Sequence, residues 1–572
     1  MKRLFSRAAV ALTVASACPT VHAANYYFSA GASGGNGTQG SPWGSLSFLN
    51  NGSFQPGDKL LLTGSFSGSI SLGAGHAGVT IQGNGARATI NAGDASGITA
   101  TNVGGVTLSN LNVFGSGPVD PLGGTQFTNT GDGIRFVNGV GRKQDVTISN
   151  VQVGGFGKRG IRFESGDGTT GFNNVNISNA VVFDNQVAGV SFEGDYNNGG
   201  KSNFTNVTID RVQAFRNRGR ANEPEQGNTG SGIVIGQVNG GRIQNSLAWQ
   251  NGTNCASTKG GGVGIWAWDS NDVKIQYNES YENGTAGTHD GGGFDLDGGV
   301  TNSVMQYNYS HDNTGAGFLL AQFNEAEDAG KHFSGNTVRF NISEDDGRKN
   351  GYGGIHAFGR IRDTKVYNNT IFMSPAAKPT SDELNASPHP TSRNEPSAAV
   401  RLRGSQDKEI GFFNNLFMLK SNEAATEFEP VWLGNLGGAD GFSFLNNAYW
   451  DFDSNSFIGI GSDGKAYKVN PKLKAAGQGG ELGPDGDLHD LAAYLLQDGS
   501  PLIDKGLDLA ALYGIDMGAF DFYGVPKAGS GWDIGASENP NAVATPEPAA
   551  SALLGLAALG LLRRGRRSPA AA

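Results

Sequence analysis

The middle of the chain repeats a short pattern in which a small residue is followed by apolar residues at alternating positions. An alternation of period two is typical of strands, because successive side chains of a strand point to opposite faces. Its return from residue 133 to residue 402 predicts stacked copies of one unit, a solenoid. The pattern stands at residues 133–136, 160–163, 189–192, 232–235, 264–267, 293–296, 317–320, 354–357 and 399–402.

A second line of the repeat places an asparagine after an apolar strand. Most steps along it are 28 to 35 residues, which suits a coil of three short strands with turns. Stacked asparagine amides can hydrogen-bond one another and the backbone of each turn. We therefore predict an all-β fold, a right-handed parallel β-helix with three short strands per coil. The line runs through Asn150, Asn179, Asn245, Asn278, Asn308, Asn341, Asn369, Asn415 and Asn447, with Asp210 taking the place once.

Competing repeat architectures fit less well. Leucine-rich repeats need a leucine-dense consensus and a helical segment, and a β-propeller needs four strands per blade. The 91 glycines follow no strict triplet, which excludes collagen. A net charge of −10 argues against a nucleic-acid partner, because such proteins carry basic surfaces.

The segments outside the repeat predict export and capping. Residues 1–23 combine basic residues, a short apolar run and a small-residue end, which is typical of a signal peptide removed by signal peptidase. Cleavage would leave Cys255 as the one cysteine, so no internal disulfide is expected. We assign residues 24–68 to an N-terminal cap, 69–450 to the β-helix with an inserted loop near 374–397, and 451–540 to a C-terminal cap with a short helix over 487–497.

Both ends of the predicted solenoid resemble a known superfamily. The segments YYFS (26–29, after Asn25) and PGDKLLL (56–62), with SPLIDKG (500–506) and DIGASE (533–538), are similar to the ends of secreted right-handed β-helix proteins of the pectin-lyase-like superfamily. The resemblance implies the fold and an association with polysaccharide. That superfamily includes lyases, hydrolases, isomerases and non-enzymatic adhesins, so it does not select one activity. The motif set of polygalacturonases is absent from this sequence.

The last residues, 541–572, resemble a PEP-CTERM sorting signal. The tripeptide Pro546-Glu547-Pro548 precedes an apolar run over 549–562 and an arginine cluster over 563–567. The resemblance implies export through the inner membrane of a Gram-negative bacterium, transient anchoring there, processing by an exosortase, and a final place at the cell surface. A permanent C-terminal anchor is the alternative, although the apolar run is short for a membrane span.

Chemistry is expected on the outward faces of residues 264–358. If the apolar positions point inward, the outward positions form two columns with coils about 4.8 Å apart. Trp266 and Trp268 then lie beside Asp295 and Asp297, and Lys259 lies in a neighbouring loop. We predict catalytic roles for Asp295, Asp297, His356 and Lys259, substrate-binding roles for Trp266, Trp268, Gln322, Phe358, Arg348 and His311, and Asp290, Asp295 and Asp297 as candidate Ca²⁺ ligands.

Three interpretations of this cluster stay open. In a glycoside hydrolase, one carboxyl protonates the glycosidic oxygen and the other acts as base or nucleophile; a separation of about 7 Å along one strand leans towards inversion. In a polysaccharide lyase, Ca²⁺ acidifies the α-proton of a uronate for removal by Lys259, Lys331 or Arg348. The third interpretation is a non-catalytic carbohydrate-binding or matrix protein. We expect a monomer, and we expect amidation of Asp295 and Asp297 to leave stability nearly unchanged.

Overall fold

The computed structural model describes residues 23–117, 127–197, 200–221, 227–374, 397–403, 410–420, 428–433, 441–453 and 463–541. The predicted signal peptide, the inserted loop and the sorting signal lie almost wholly outside the described residues. Within the described ranges, no helix is both long and apolar enough to cross a membrane.

The fold is a parallel β-helix, as the repeats predict. One face is a sheet of twelve parallel strands, which we call sheet I, and each of its strands pairs with the next one along the chain. These strands are β4 (Ile70–Leu72), β7 (Ile98–Thr101), β9 (Ile134–Asn138), β11 (Arg159–Ser165), β13 (Ala188–Glu193), β15 (Ser231–Gly236), β18 (Ile265–Trp268), β21 (Phe294–Leu296), β24 (Phe318–Gln322), β28 (Gly353–Gly359), β32 (Ser397–Arg403) and β35 (Phe428–Leu433).

The other two faces of the coils form one continuous sheet of 23 strands, sheet II, which bends around a corner. Its strands are β1 (Asn25–Ser29), β2 (Lys59–Thr63), β3 (Ser65–Ser67), β5 (Thr80–Gly83), β6 (Ala88–Gly93), β8 (Thr107–Gly115), β10 (Arg142–Gly154), β12 (Gly171–Phe183), β14 (Phe204–Phe215), β16 (Val238–Gln244), β17 (Leu247–Trp249), β19 (Asn271–Gln276), β20 (Glu279–Tyr281), β22 (Val304–Gln306), β23 (Tyr309–His311), β26 (Thr337–Arg339), β27 (Ile342–Glu344), β30 (Thr364–Tyr367), β31 (Thr370–Met373), β33 (Ile410–Phe413), β34 (Leu416–Leu419), β36 (Phe442–Leu445) and β37 (Ala448–Asp451).

The remaining elements are short. Strands β25 (Phe333–Ser334) and β29 (Ile361–Arg362) pair with each other. The α-helices are α1 (Leu46–Asn50), α2 (Asn324–Asp328) and α3 (Leu509–Tyr513). Three 3₁₀ turns cover Ala74–His76, Leu488–Asp490 and Ala492–Tyr494, so two separate turns replace the helix predicted over 487–497.

The asparagines of the predicted line in fact form two adjacent columns, and Asp210 belongs to neither, because it pairs with Ser178 and Gln244 one position before the corner. Gln244 pairs with Gln276, which places Asn245 opposite Tyr277 and not opposite Asn278. The corner position of the coil has a left-handed backbone, and asparagine tolerates that conformation better than most residues. The early members of the line occupy this corner, with φ of 53°, 50° and 51° at Asn150, Asn179 and Asn245.

From the coil of Asn278 onwards, the asparagines stand one position later and form the predicted amide ladder. Each side-chain N–H donates to the side-chain oxygen of the next coil at 2.9–3.0 Å, through Asn278, Asn308, Asn341, Asn369, Asn415 and Asn447. The last amide donates to Asp463 at 3.0 Å. A second ladder, which the sequence did not predict, runs through Asn185, Asn217, Asn251, Asn283 and Asn313 and ends on Asp346.

The core fills the inside of the coils, and the C-terminal segment lies against their outside. Phe136, Phe163 and Phe192 stack along the solenoid axis, with ring centroids 5.0 and 4.7 Å apart. The segment that follows residue 463 packs on sheet II, where the backbone N–H groups of Leu482 and Gly483 donate to the buried Glu279. Sheet II is therefore covered along this stretch, and sheet I is the face that carries grooves.

Candidate functional site

The outward columns of sheet I have the predicted register. Trp266 lies opposite Asp295, Asp295 opposite Leu319, and Leu319 opposite His356. Their neighbours in sequence, such as Phe294 and Leu296, are fully buried in the core. The alternation therefore places the aspartate and tryptophan side chains on the outside of the β-helix, as predicted.

The outward position does not make these side chains exposed. Asp295 is 3% exposed, Trp266 5% and His356 3%, so all three side chains are outward and buried. The loops that enter and leave the strands rise above sheet I, and α2 follows β24 directly. A two-residue alternation assigns a face, but it carries no information about loops folded over that face.

These loops leave a groove with two lobes. The carboxylate lobe has a volume of about 380 Å³ and the basic lobe about 580 Å³. Asn228, Asp297 and Phe323 line both lobes, so the two lobes adjoin at these side chains. Cavities of this size are typical of small-molecule sites. The carboxylate lobe is further lined by Lys259, Gly260, His289, Asp290, Asp295, Leu319, Ala321, Glu325, Tyr352, His356, Phe358 and Arg403.

Three aspartate carboxyls meet in the carboxylate lobe, which the exposed Glu325 also lines. Asp297 Oδ1 accepts a hydrogen bond from the Gly298 backbone N–H at 2.7 Å, and Asp290 Oδ2 accepts one from the Gly261 N–H at 2.7 Å. Asp295 Oδ1 is buried and accepts no hydrogen bond from any described residue. Because a buried polar atom without a partner is costly, this group is available to a ligand or to a proton.

The environment of the lobe makes all three carboxyls weak acids. Burial raises the pKa of Asp290 to about 6. Burial, with the nearby charge of Asp290, raises the pKa of Asp297 to about 7. The pKa of Asp295 is raised well above its ordinary range by burial and then by the charges of Asp297 and Asp290. Carboxyls tuned towards neutral pH in a cleft are suited to acid–base chemistry.

Other groups surround the carboxyls. The Tyr352 hydroxyl accepts a hydrogen bond from the Asp290 backbone N–H at 2.9 Å, and its ring lies 4.8 Å from the His356 ring. His356 and Lys259 line the lobe, in agreement with their predicted place beside the aspartates. Phe358 also lines the lobe and is 44% exposed, so its ring faces the mouth.

The basic lobe is lined by aromatic rings and cations. Trp266 Nε1 donates to Ser231 Oγ at 3.0 Å, and the Trp268 ring stacks on Tyr196 with centroids 6.0 Å apart. The Lys331 ammonium lies 4.1 Å from the Tyr196 ring centroid and is ion-paired with Asp269, which holds this wall in place. The cations that line the lobe are Lys158, Arg159 and Arg220.

The structure places three predicted substrate-binding residues away from the groove walls. The Gln322 amide is buried, donating to the Lys331 carbonyl at 2.6 Å and accepting from the Gly299 N–H. His311 is on sheet II, hydrogen-bonded to Glu279 at 3.1 Å beneath the C-terminal segment. Arg348 pairs with Asp312. These three side chains stabilise the coil and its coverings.

Several groove residues escaped the sequence prediction. Arg403 was within reach, because it continues the outward column of Phe358 on the next strand. Arg401 continues the column of His356 in the same way and is fully buried. Tyr352, Tyr196 and Arg220 come from loops, whose place over the sheet the periodicity does not encode.

The described residues contain no group of three or more His, Cys, Asp or Glu side chains arranged to hold a metal ion. No step proposed below passes through a metal. The candidate Ca²⁺ site at Asp290, Asp295 and Asp297 stays a sequence prediction.

Comparison with known proteins gave partial matches. No protein-family model matches the chain. A lacto-N-biosidase of Bifidobacterium longum is 26% identical over 177 residues, which are 30% of this chain and 10% of that protein. The chain thus spans about a tenth of the length of this curated relative.

Among solved structures, the GH136 lacto-N-biosidase of Eubacterium ramulus aligns with a TM-score of 0.44 and 18% identity, covering 61% of this chain and 64% of that one. Pectate lyase Pel9A aligns with a TM-score of 0.39 and 15% identity, covering 90% and 96%. The strand pairing of the chain itself defines the class: a parallel β-helix protein with a groove on one sheet.

Proposed function

We propose that the protein is a carbohydrate-active enzyme, a glycoside hydrolase that cleaves its substrate in the groove of sheet I. The observation that carries this proposal is the convergence of Asp290, Asp295 and Asp297 on one lobe of the groove, where burial raises the pKa of Asp290 to about 6 and that of Asp297 to about 7. Hydrolysis of a glycosidic bond requires one protonated and one ionised carboxyl at the same pH. The similarity to a lacto-N-biosidase over 177 residues supports the same reaction class.

The two carboxyls divide the roles by their acidity. Asp297, the weaker acid of the pair, gives its proton to the glycosidic oxygen as the bond to the anomeric carbon breaks. Asp290, the stronger acid, is ionised. It acts either as the base that activates water or as the nucleophile at the anomeric carbon. Water supplies the hydroxyl that ends on the anomeric carbon and the proton that returns to the enzyme.

Asp295 has a different role in this proposal from the one the sequence suggested. It is more buried than its two neighbours, and its raised pKa keeps it protonated while they exchange protons. A neutral carboxyl beside two reacting ones keeps the local negative charge low. We therefore assign Asp295 a positioning role, and we assign sugar stacking to Trp266, Trp268 and Phe358 because aromatic faces suit the apolar faces of sugar rings.

The test is hydrolysis of a panel of neutral and acidic oligosaccharides and polysaccharides. We expect new reducing ends from the mature protein, and a loss of about 10²–10⁴-fold in kcat for Asp297→Asn. Asp485→Asn, at an exposed carboxylate outside the groove, is the matched control and should keep full activity.

Other outcomes would select another interpretation. Unsaturated products that absorb in the ultraviolet, formed without net uptake of water, would indicate a lyase. Binding without any turnover across the panel would favour a non-catalytic carbohydrate-binding or matrix protein. Full activity in Asp297→Asn would contradict the assigned acid.

We also propose that the chain is exported by a Gram-negative bacterium and acts as a monomer at the cell surface. The signal-like residues 1–23 and the sorting-like residues 541–572 support this, with signal peptidase and an exosortase as processing partners and the tail as a transient inner-membrane anchor. Mass spectrometry of the surface fraction should find a start at Ala24 and no tail peptides. Recovery of the intact tail in membranes would contradict the processing step.

A further inference from the structure

Among the described residues, the cationic side chains that line the basic lobe outnumber the acidic ones. Lys158, Arg159 and Arg220 line it, and its acids are Glu193 and Asp297. Asp297 has a pKa of about 7, so it contributes only part of a negative charge near neutral pH. The net charge of the lobe therefore depends on whether Glu193 is already paired with cations outside the lobe.

Glu193 is shared with a residue outside the lobe. Its Oε2 accepts hydrogen bonds from Arg162 Nη2 at 2.7 Å and from Arg162 Nε at 3.0 Å, while its Oε1 pairs with Arg159. Glu193 thus contacts two guanidinium groups, of which Arg162 also lies 3.2 Å from Glu164 and 3.7 Å from Asp132. This network compensates its own guanidinium charges, so the binding of an anion depends on Lys158. Burial, followed by the repulsion of Arg162, lowers the pKa of Arg159, so that an added anion would stabilise its charged form.

Lys158 adds a further cation. No carboxylate of the described residues forms an ion pair with its ammonium group, and its side chain lies at intermediate exposure on the lobe wall. An ammonium group in this position is accessible to a ligand without the removal of an internal partner. Asn228 and Thr229, on the same wall, add polar side chains that suit sugar hydroxyls.

We propose that the basic lobe binds an anionic substituent, a uronate carboxylate or a sulfate ester, on a sugar ring that stacks on the neighbouring aromatic side chains. The basic lobe adjoins the carboxylate lobe at Asp297, so this ring lies next to the bond that is cleaved. Asp290, the ionised aspartate of the other lobe, repels an anion and favours binding of the substrate in one direction. The position of this ring next to the cleaved bond rests on the proposed function, whereas the binding of the anionic substituent does not.

The experiment measures binding separately from turnover. The Asp290→Asn protein, altered outside the basic lobe, is titrated calorimetrically with three oligosaccharides that differ at one ring: neutral, uronic acid and sulfated. We expect the acidic ligands to bind about tenfold more tightly than the neutral one, with an advantage that shrinks as NaCl is raised. A preference for carboxylate over sulfate, or the reverse, identifies the natural substituent.

Lys158→Gln in the same background should reduce the ratio of the affinity for acidic ligands to that for the neutral ligand several-fold. The affinity for the neutral ligand should stay unchanged. Lys274→Gln, at an exposed lysine on sheet II, is the matched control and should change neither. Thermal melting of each variant checks that the fold is retained. If Lys158→Gln lowers the melting temperature, Lys158→Arg should restore the preference for acidic ligands.

The outcomes separate this inference from the proposed function. Equal affinity for neutral and acidic ligands would overturn the inference, even if neutral substrates are hydrolysed. Acidic binding that depends on Lys158, without hydrolysis of any ligand by the unmodified protein, would support the inference and overturn the proposed hydrolase.

Discussion

The two halves of sheet I use charge in opposite ways along the same outward columns. In the coils of β9, β11 and β13, arginines and glutamates of adjacent coils pair: Arg135 Nη2 lies 2.6 Å from Glu164, and Arg162 Nη2 lies 2.7 Å from Glu193. Further along, the same column reaches Asp295, whose Oδ1 has no hydrogen-bond partner among the described residues. The first half is a charge network, and the second half is a carboxyl cluster.

The difference shows that the solenoid repeats its backbone without repeating its electrostatics. Opposite charges at about the spacing of adjacent strands compensate each other and stabilise the stack. Like charges at a similar spacing raise each other's pKa and cost folding energy. Groups that cost stability and line a cavity are suited to function, while charges compensated by several partners, such as Arg162, are suited to structure.

Breaking the network should have the largest effect on stability. Arg162→Met leaves Glu193, Glu164 and Asp132 without their shared partner, and we expect the free energy of unfolding to fall by about 2–4 kcal/mol. Chemical denaturation measures the change. Arg135→Met should cost less, because that side chain is more exposed; an equal loss would show that burial does not set the cost.

The carboxyl cluster should instead set the pH dependence of activity. With Asp290 ionised and Asp297 protonated, the rate rises as pH increases through about 6 and falls as pH increases through about 7. On each side of the maximum, kcat/KM should approach a tenfold change per pH unit. A profile of kcat/KM against pH with no alkaline limb near 7 would contradict the role of Asp297 as acid.

Amidation within the cluster should stabilise the protein, by a smaller amount. The folded-state pKa of Asp295 lies above its ordinary value of 3.8, so its contribution to stability is fully present at low pH and is lost as pH rises. We therefore expect Asp295→Asn to raise the free energy of unfolding by about 1 kcal/mol at pH 8 and to change it little at pH 4. A destabilised Asn variant at pH 8 would indicate that the carboxyl has a cationic partner.

The calcium hypothesis concerns the same three aspartates and predicts the smallest effect. Bound Ca²⁺ would raise Tm by a few degrees at millimolar concentration through preferential binding to the folded state. Asp297→Asn should abolish that rise. An unchanged Tm with and without a chelator would remove the hypothesis.

The sequence predicts the coil of this protein better than it predicts the groove. Register follows from period two, so the contact of Trp266 with the strand of Asp295 could be predicted without a structure. Exposure could not, because it depends on loops that have no period. The predicted asparagine line was wrong by one position because asparagine has two different roles in the coil. Asn179 occupies a left-handed corner, whereas Asn278 belongs to a buried stack of side-chain amides.

The two amide ladders also give the solenoid an electrical direction. Every side-chain amide donates towards the C-terminal coils, so the amide dipoles align head to tail and their positive ends accumulate at the last member. Both ladders end there on a carboxylate, Asp346 in one and Asp463 in the other. An ionised aspartate accepts a hydrogen bond but has no N–H group to donate to a further residue. It therefore terminates the series as an anion terminates a helix at its N-terminus. Asp463→Asn would replace the terminal acceptor of the ladder by a side chain whose own N–H group needs an acceptor.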